Sequence, residues 1–226
     1  MSETSTPPGE PTPGVVDLLG IIAYGELTGF QRLAEDAAHA PTLADKVMMA
    51  SMAAVQFNHF DRVREYLLEQ DVDVMAAMEP FHKPWDAYHE FTRPRSWLEG
   101  LVKTYVGDGF AADFYREVAA NVDPQTRDLV YEVLADDREG DYIVGRVRQA
   151  TAEDPKVAGK LALWGRRLVG EALTQAQRVA ADRDSLTGLL TGTVDRPGMD
   201  LAAIGRMFSR LTENHALRMD RLGLAS

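Results

Sequence analysis

Gln56 and His59 stand one helical turn apart in the run "AAVQFNHF". Both fall on the stripe Met48, Met52, Gln56, His59, Val63 and Leu67, the apolar side of a helical pattern. Three other stripes carry acids. Glu26 is the only charged member of Leu19, Ile22, Glu26, Phe30 and Leu33. Asp108 lies on the stripe of Trp97, Leu101, Tyr105, Ala112 and Tyr115, and Asp136 and Glu139 share one with Leu129 and Ile143. A carboxylate in a dry interior is costly unless it is protonated, paired or bound to metal. A divalent cation removes the mutual repulsion of several acids, and carboxylate oxygen and neutral imidazole are good ligands for iron and manganese. The chemistry expected from these residues is therefore metal binding. Each residue alone has an ordinary reading: Glu26 at a stripe edge, His59 as a hydrogen-bonded core histidine, and Asp136 and Glu139 on the solvated face of the acidic run "ADDREGD". The metal reading rests on all four stripes turning polar at compatible heights.

Almost everything after Gly14 has helical periodicity, and strand alternation is absent. The pattern predicts helices over about Val15–His39 and Leu43–Glu69, with Thr42 capping the second. The segment "DVDVMAAMEPFHKPWDAYHEFTRPR" comes next, and Pro80, Pro84 and Pro94 make it a long connection with at most one short helix. Further helices are expected over about Ser96–Ala120 and Pro124–Ala150, the latter capped by Asp123 with Pro124 at its first position. Connections that run short, long, short describe two helical hairpins joined by one crossover, the ferritin-like form of the four-helix bundle. Two more helices, about Pro155–Leu190 and Asp200–Leu222, are expected to pack on the bundle. The expected organisation is a disordered tail over residues 1–13 and one all-α domain over 14–226, with the bundle at about 15–150 and the extension at about 155–224. Gly25, Gly107 and Gly109 flank Glu26 and Asp108 inside helices. Glycine there costs about 1 kcal/mol relative to Ala, which suggests close backbone approach, room for a substrate, or simple helix packing.

The composition narrows the alternatives. The chain has 226 residues, 45% of them hydrophobic, and a net charge of −11. With no cysteine, disulfides, zinc–thiolate sites and cysteine nucleophiles are excluded. No run of about 20 apolar residues suits a membrane span, and the N-terminus lacks the basic and apolar regions of a secretory signal, so a cytoplasmic protein is expected. The acidic balance disfavours broad contact with a phosphate backbone. Arg166, Arg167, Arg178 and Arg183 form the one basic run, read as a solvated helix face. His82 and His89 read as surface histidines, and His215 as lying at a packing edge.

The segments "LLGIIAYGELTGF", "AAVQFNHF", "YVGDGFAADFYREVA" and "VLADDREGDY" resemble the four metal-bearing helices of ferritin-like non-haem di-iron proteins, and most of all the tRNA hydroxylase-like branch of actinobacterial type. The resemblance covers roughly Val15–Ala150. It implies a Glu on the first helix, Glu-x-x-His on the second, a carboxylate on the third and Glu-x-x-His on the fourth. Glu26, His59, Asp108 and Asp136 match those positions, the last two with a shorter acid. Gln56 stands where a bridging Glu is expected, and Glu139 where a His is expected. An amide offers one neutral oxygen in place of two anionic ones, whereas iron and manganese accept a carboxylate at position 139. The resulting expectation is a set of metal ligands comprising Glu26, Gln56, His59, Asp108, Asp136 and Glu139, holding one or two iron or manganese ions, or none if the acids form a hydrogen-bonded network.

The resemblance implies an oxygen-dependent hydroxylase, with Tyr24 and Tyr105 near enough in sequence to tune the site. The altered positions equally suit a non-catalytic scaffold that dimerises through its C-terminal helices. A tRNA substrate is carried by the resemblance alone.

Overall fold

The computed structural model describes residues 11–135, 138–193 and 196–226, without the side chains at positions 138, 139, 193, 196 and 197. Most of the tail expected over residues 1–13 lies outside the described residues, as do Asp136 and the side chain of Glu139.

The first hairpin forms much as expected. Helix α1 spans Pro13–Ala37 and α2 spans Leu43–Glu69. Thr42 caps α2 by accepting a hydrogen bond from the Asp45 amide and donating to the Asp45 carboxylate at 2.7 Å. The third bundle helix is built in three pieces: α4 over Trp97–Lys103, a π-helical turn over Thr104–Asp108, and α5 over Gly109–Ala119. Ser96 caps α4. The fourth is broken: α6 covers Pro124–Val133, with Asp123 capping and Pro124 in its first turn, and α7 covers Arg138–Glu153. Against the expectation of one continuous helix, α6 closes at Leu134, whose backbone leaves the helical region.

The crossover is the larger departure. Residues 74–91 form a full helix, α3 (Val74–Phe91), with Pro80 and Pro84 inside it. Each proline removes one backbone hydrogen bond, yet the helix holds because Val74, Ala77, Met78, Phe81 and Tyr88 bury one face. Gly20 of α1 receives that face: a Cβ there would collide with the Ala77 carbonyl. The expected fifth helix is divided at Arg183 into α8 (Pro155–Asp182) and α9 (Asp184–Thr191). A two-residue antiparallel ladder, Gly192–Thr193 with Arg196–Pro197, leads to α10 (Leu201–Leu222).

α1 packs along α2 and α3, α8 lies against α3, α4 and α7, and α10 covers α5 and α7. The fold is an all-α ferritin-like bundle with helices added around it. Among the described residues no helix is long and apolar enough to cross a membrane.

The core divides into two apolar clusters. One gathers Leu18, Leu19, Ile22, Phe60, Val63, Tyr115 and Val130. The other gathers Leu33, Met49, Met52, Leu101, Val106, Ile143 and Val147. On α1 the fully buried members pass from one cluster to the other between Ala23 and Leu33, and on α2 between Ala53 and Phe60. They do so between Val106 and Tyr115 on the third bundle helix, and between Val133 and Ile143 on the fourth. Those four intervals contain Glu26, Gln56 with His59, Asp108, and positions 136 and 139.

Candidate metal centre

α1 and α2 run antiparallel, and their register brings two of the six candidate ligands together. His59 Nδ1 lies 3.4 Å from Glu26 Oε2, with the side chains 18% and 12% exposed. Glu26 Oε2 is buried and makes no hydrogen bond among the described residues. Burial pushes the Glu26 carboxyl above its ordinary pKa, and His59 pulls it part of the way back. One turn along, the Gln56 side-chain oxygen lies over Gly29, 2.9 Å from where a Cβ would stand. The amide thus packs into the seam between the two helices.

Asp108 is placed differently. It ends the π turn and is exposed, although the uniform helical pattern put it on an inward stripe. The reason is geometric: a π turn inserts an extra residue per turn and shifts the register of the residues beyond it. Val106, Phe110 and Tyr115 take the inward places. Among the described residues, no three His, Asp or Glu side chains come together in a group that could hold a metal ion.

Two tyrosines, neither assigned a role from sequence, lie within electrostatic reach of Asp108, and one of them also reaches Glu26. The Tyr115 hydroxyl is raised by burial first and then by the charges of Glu26 and Asp108, so it lies within electrostatic reach of both. Tyr88 is raised by burial and by Asp108. A Cβ at Gly107 would stand 2.6 Å from the Tyr88 hydroxyl, and one at Gly25 would stand 2.8 Å from the Trp85 ring. These glycines mark close approach of α3 side chains to the backbone of α1 and of the π turn. Position 115 was legible as a member of the Asp108 stripe. Trp85 and Tyr88 were hidden in a segment read as connection.

Tyr24 and Tyr105 turn elsewhere. Burial, and then the hydrogen bond that it donates to Asp86 at 3.0 Å, push the Tyr24 hydroxyl to about 12, and Tyr105 accepts from Arg221. His82 is half exposed and pairs with Asp86 at 3.1 Å. His89, expected at the surface, is buried and stacks on Trp85, and neither ring nitrogen is hydrogen-bonded among the described residues. Burial, Lys103 and Arg32 lower it to about 2, so it is neutral at physiological pH. His215 is buried within α10.

Other acids, not singled out from the sequence, are buried with arginines. Asp17 pairs with Arg183 and Ser185, Asp45 with Arg146 and Tyr142, and Asp113 with Arg218 and Asn214. Of the basic run read as a solvated face, Arg183 is therefore committed to Asp17. Arg167 donates to the Phe91 carbonyl at 2.7 Å. By contrast with these aspartates, Glu26 pairs among the described residues with an imidazole and with no arginine. A carboxylate oxygen and a facing ring nitrogen are two donors of the kinds that a small divalent cation accepts.

Asp108 and Tyr115 also border an apolar cavity of about 130 Å³, walled on its far side by α8, α9 and α10.

A family model described as a ferritin-like domain of actinomycetes matches residues 11–193. No curated protein matches the chain.

Proposed function

Since the chain belongs to this ferritin-like family of actinomycetes, we propose that it is a metal-dependent oxidoreductase of the tRNA hydroxylase-like kind with an altered ligand set. What supports this reading is that the buried residues of each bundle helix pass from one apolar cluster to the other within the stretch of sequence that holds its candidate ligands. Glu26 and His59 would hold one iron or manganese ion, with Asp136 and Glu139 as further donors. When bound, that ion would supply the redox chemistry by which dioxygen hydroxylates a C–H bond. Glu26 contributes the anionic oxygen, and His59 a neutral nitrogen directed at it across the hairpin. Gln56, seated over Gly29, steadies the seam as a neutral donor. The apolar clusters on either side keep water from the pair. A net charge of −11 restricts nucleic-acid contact to a local patch.

A second reading is favoured by one specific observation. Gln56, a neutral amide packed over Gly29, stands where a bridging carboxylate is expected, which suits a ferritin-like scaffold that acts through association, for instance as a dimer. Oxygen uptake separates the two. Protein loaded with ferrous iron without air should consume dioxygen on exposure, and Glu26→Ala should abolish the uptake. Uptake no faster than buffer with ferrous iron would leave the scaffold.

A further inference from the structure

Helix α2 carries a second stripe, which the bundle leaves bare. Leu43, Val47 and Phe57 are 77%, 58% and 41% exposed. Ala50 and Ala54 lie between them and are exposed as well. The five follow one another at steps of four, three, four and three residues, so they share one face about 21 Å long. That face turns away from Met49, Met52 and Val63, which are buried in the core. Single exposed apolar residues are ordinary on a protein surface. A row at heptad spacing is what a helix carries where it packs on a further helix.

Charge and symmetry point to the occupant. The chain holds 35 acidic residues and a net charge of −11, so two copies repel each other over most of their surface. Residues 46–60, "KVMMASMAAVQFNHF", contain no acid, and Lys46 is their only fixed charge. A second copy can approach here without that repulsion. The side-chain sizes also read the same in both directions. Val47, Ala50, Ala54 and Phe57 run large, small, small, large, symmetrically about position 52. A two-fold axis there sets α2 antiparallel on itself, with Ala50 against Ala54 and Val47 against Phe57 of the second copy. The alanine layers let the helix axes approach to about 8 Å, and the larger side chains close the ends. The same register brings Lys46 beside Asp61 of the second copy, whereas a parallel pairing would set Lys46 on Lys46. Residues 1–10, "MSETSTPPGE", offer Met1 as their one large apolar side chain and so do not match the stripe.

We propose that the 43–57 face of α2 is a two-fold interface with a second copy of this chain, the two helices antiparallel and centred between Ala50 and Ala54. The contact covers the outer side of the α1–α2 seam, where Phe57 meets Phe30 with ring centroids 5.2 Å apart. It does not depend on a metal at Glu26 and His59. It places self-association on α2 rather than on the C-terminal helices.

Because the chain has no cysteine, introduced thiols report the contact directly. In chelator-treated full-length protein, Ala50→Cys mixed with Ala54→Cys should form disulfide-linked dimers about 10-fold faster than either variant alone, since the mixed pair meets at disulfide distance, about 4.4–6.8 Å between Cα atoms. Sedimentation equilibrium of the wild type at about 10–300 μM should show monomer and dimer in exchange, the range expected of an interface this small. Ala54→Asp should weaken that dimer about 10-fold or more, because it buries an unpaired carboxylate on each side of the axis. Position 54 is exposed in the single chain, so this variant should keep its helical spectrum. A wild type that stays monomeric across the range, a dimer that Ala54→Asp leaves intact, or cysteine variants that cross-link as fast alone as mixed overturns the inference. None of these readouts involves iron or dioxygen, so a failure here is separate from a failure of the oxygen-uptake test.

Discussion

His59 Nδ1 stands 3.4 Å from Glu26 Oε2, the two side chains meeting across the seam of an antiparallel helix pair. Three residues further along α1, Gly29 meets Gln56, three residues back along α2. The register thus places "QFNH" against "GELTG" as a unit. The same hairpin depends on features away from the pair, and each can be tested.

The approach of α3 to α1 is set at Gly20. A methyl group there would collide with the Ala77 backbone carbonyl rather than with a movable side chain tip. Alanine has the better helix propensity, by about 1 kcal/mol. Overpacking against backbone typically costs about 1–3 kcal/mol, occasionally more. Gly20→Ala should therefore destabilise the protein by about 2 kcal/mol in urea unfolding. A stabilised variant would show that the two helices are free to separate.

Asp17 is 2% exposed, and its carboxylate is held by Arg183 at 3.1 Å from Nε and by Ser185. Arg183→Leu should cost about 3 kcal/mol in chemical denaturation, because it leaves a buried charge with one weak partner. The double variant Asp17→Leu, Arg183→Leu should recover most of that loss. Equal losses in the single and double variants would locate the effect in packing and not in charge.

Lys103 is 8% exposed and donates to the Thr92 carbonyl at 3.0 Å. Burial lowers its pKa from 10.5 to about 8, against the pull of Asp108. Between those two values the unfolded chain holds the proton that the folded chain has released, so this group's contribution to stability rises with pH. Compared with Lys103→Met, which does not titrate, the wild type should gain about 3 kcal/mol across that window. Parallel stability curves for the two proteins would refute the assignment.

The first hairpin could be read from the sequence because its signals are local. Apolar periodicity and the Thr42 cap fix α2, and Asp123 with Pro124 fix the start of α6. The α3 helix could not be read this way. Pro80 and Pro84 argue locally against a helix, and only its burial against α1 overrides them. The π turn was hidden for a related reason: a pattern read at a uniform period has no place for the extra residue that turns Asp108 outward. Glu26 and His59 were legible as a pair because a short connection fixes their relative depth. Asp17 and Arg183 were not, since their partnership spans most of the chain.

Metal content is the decisive quantity for the Glu26–His59 centre. Protein purified from cells supplied with iron and manganese should carry about one equivalent of either, and Glu26→Ala combined with His59→Ala should carry none while keeping its helical spectrum. A metal-free wild type, or a double variant that retains its metal, would be incompatible with an ion held by this pair.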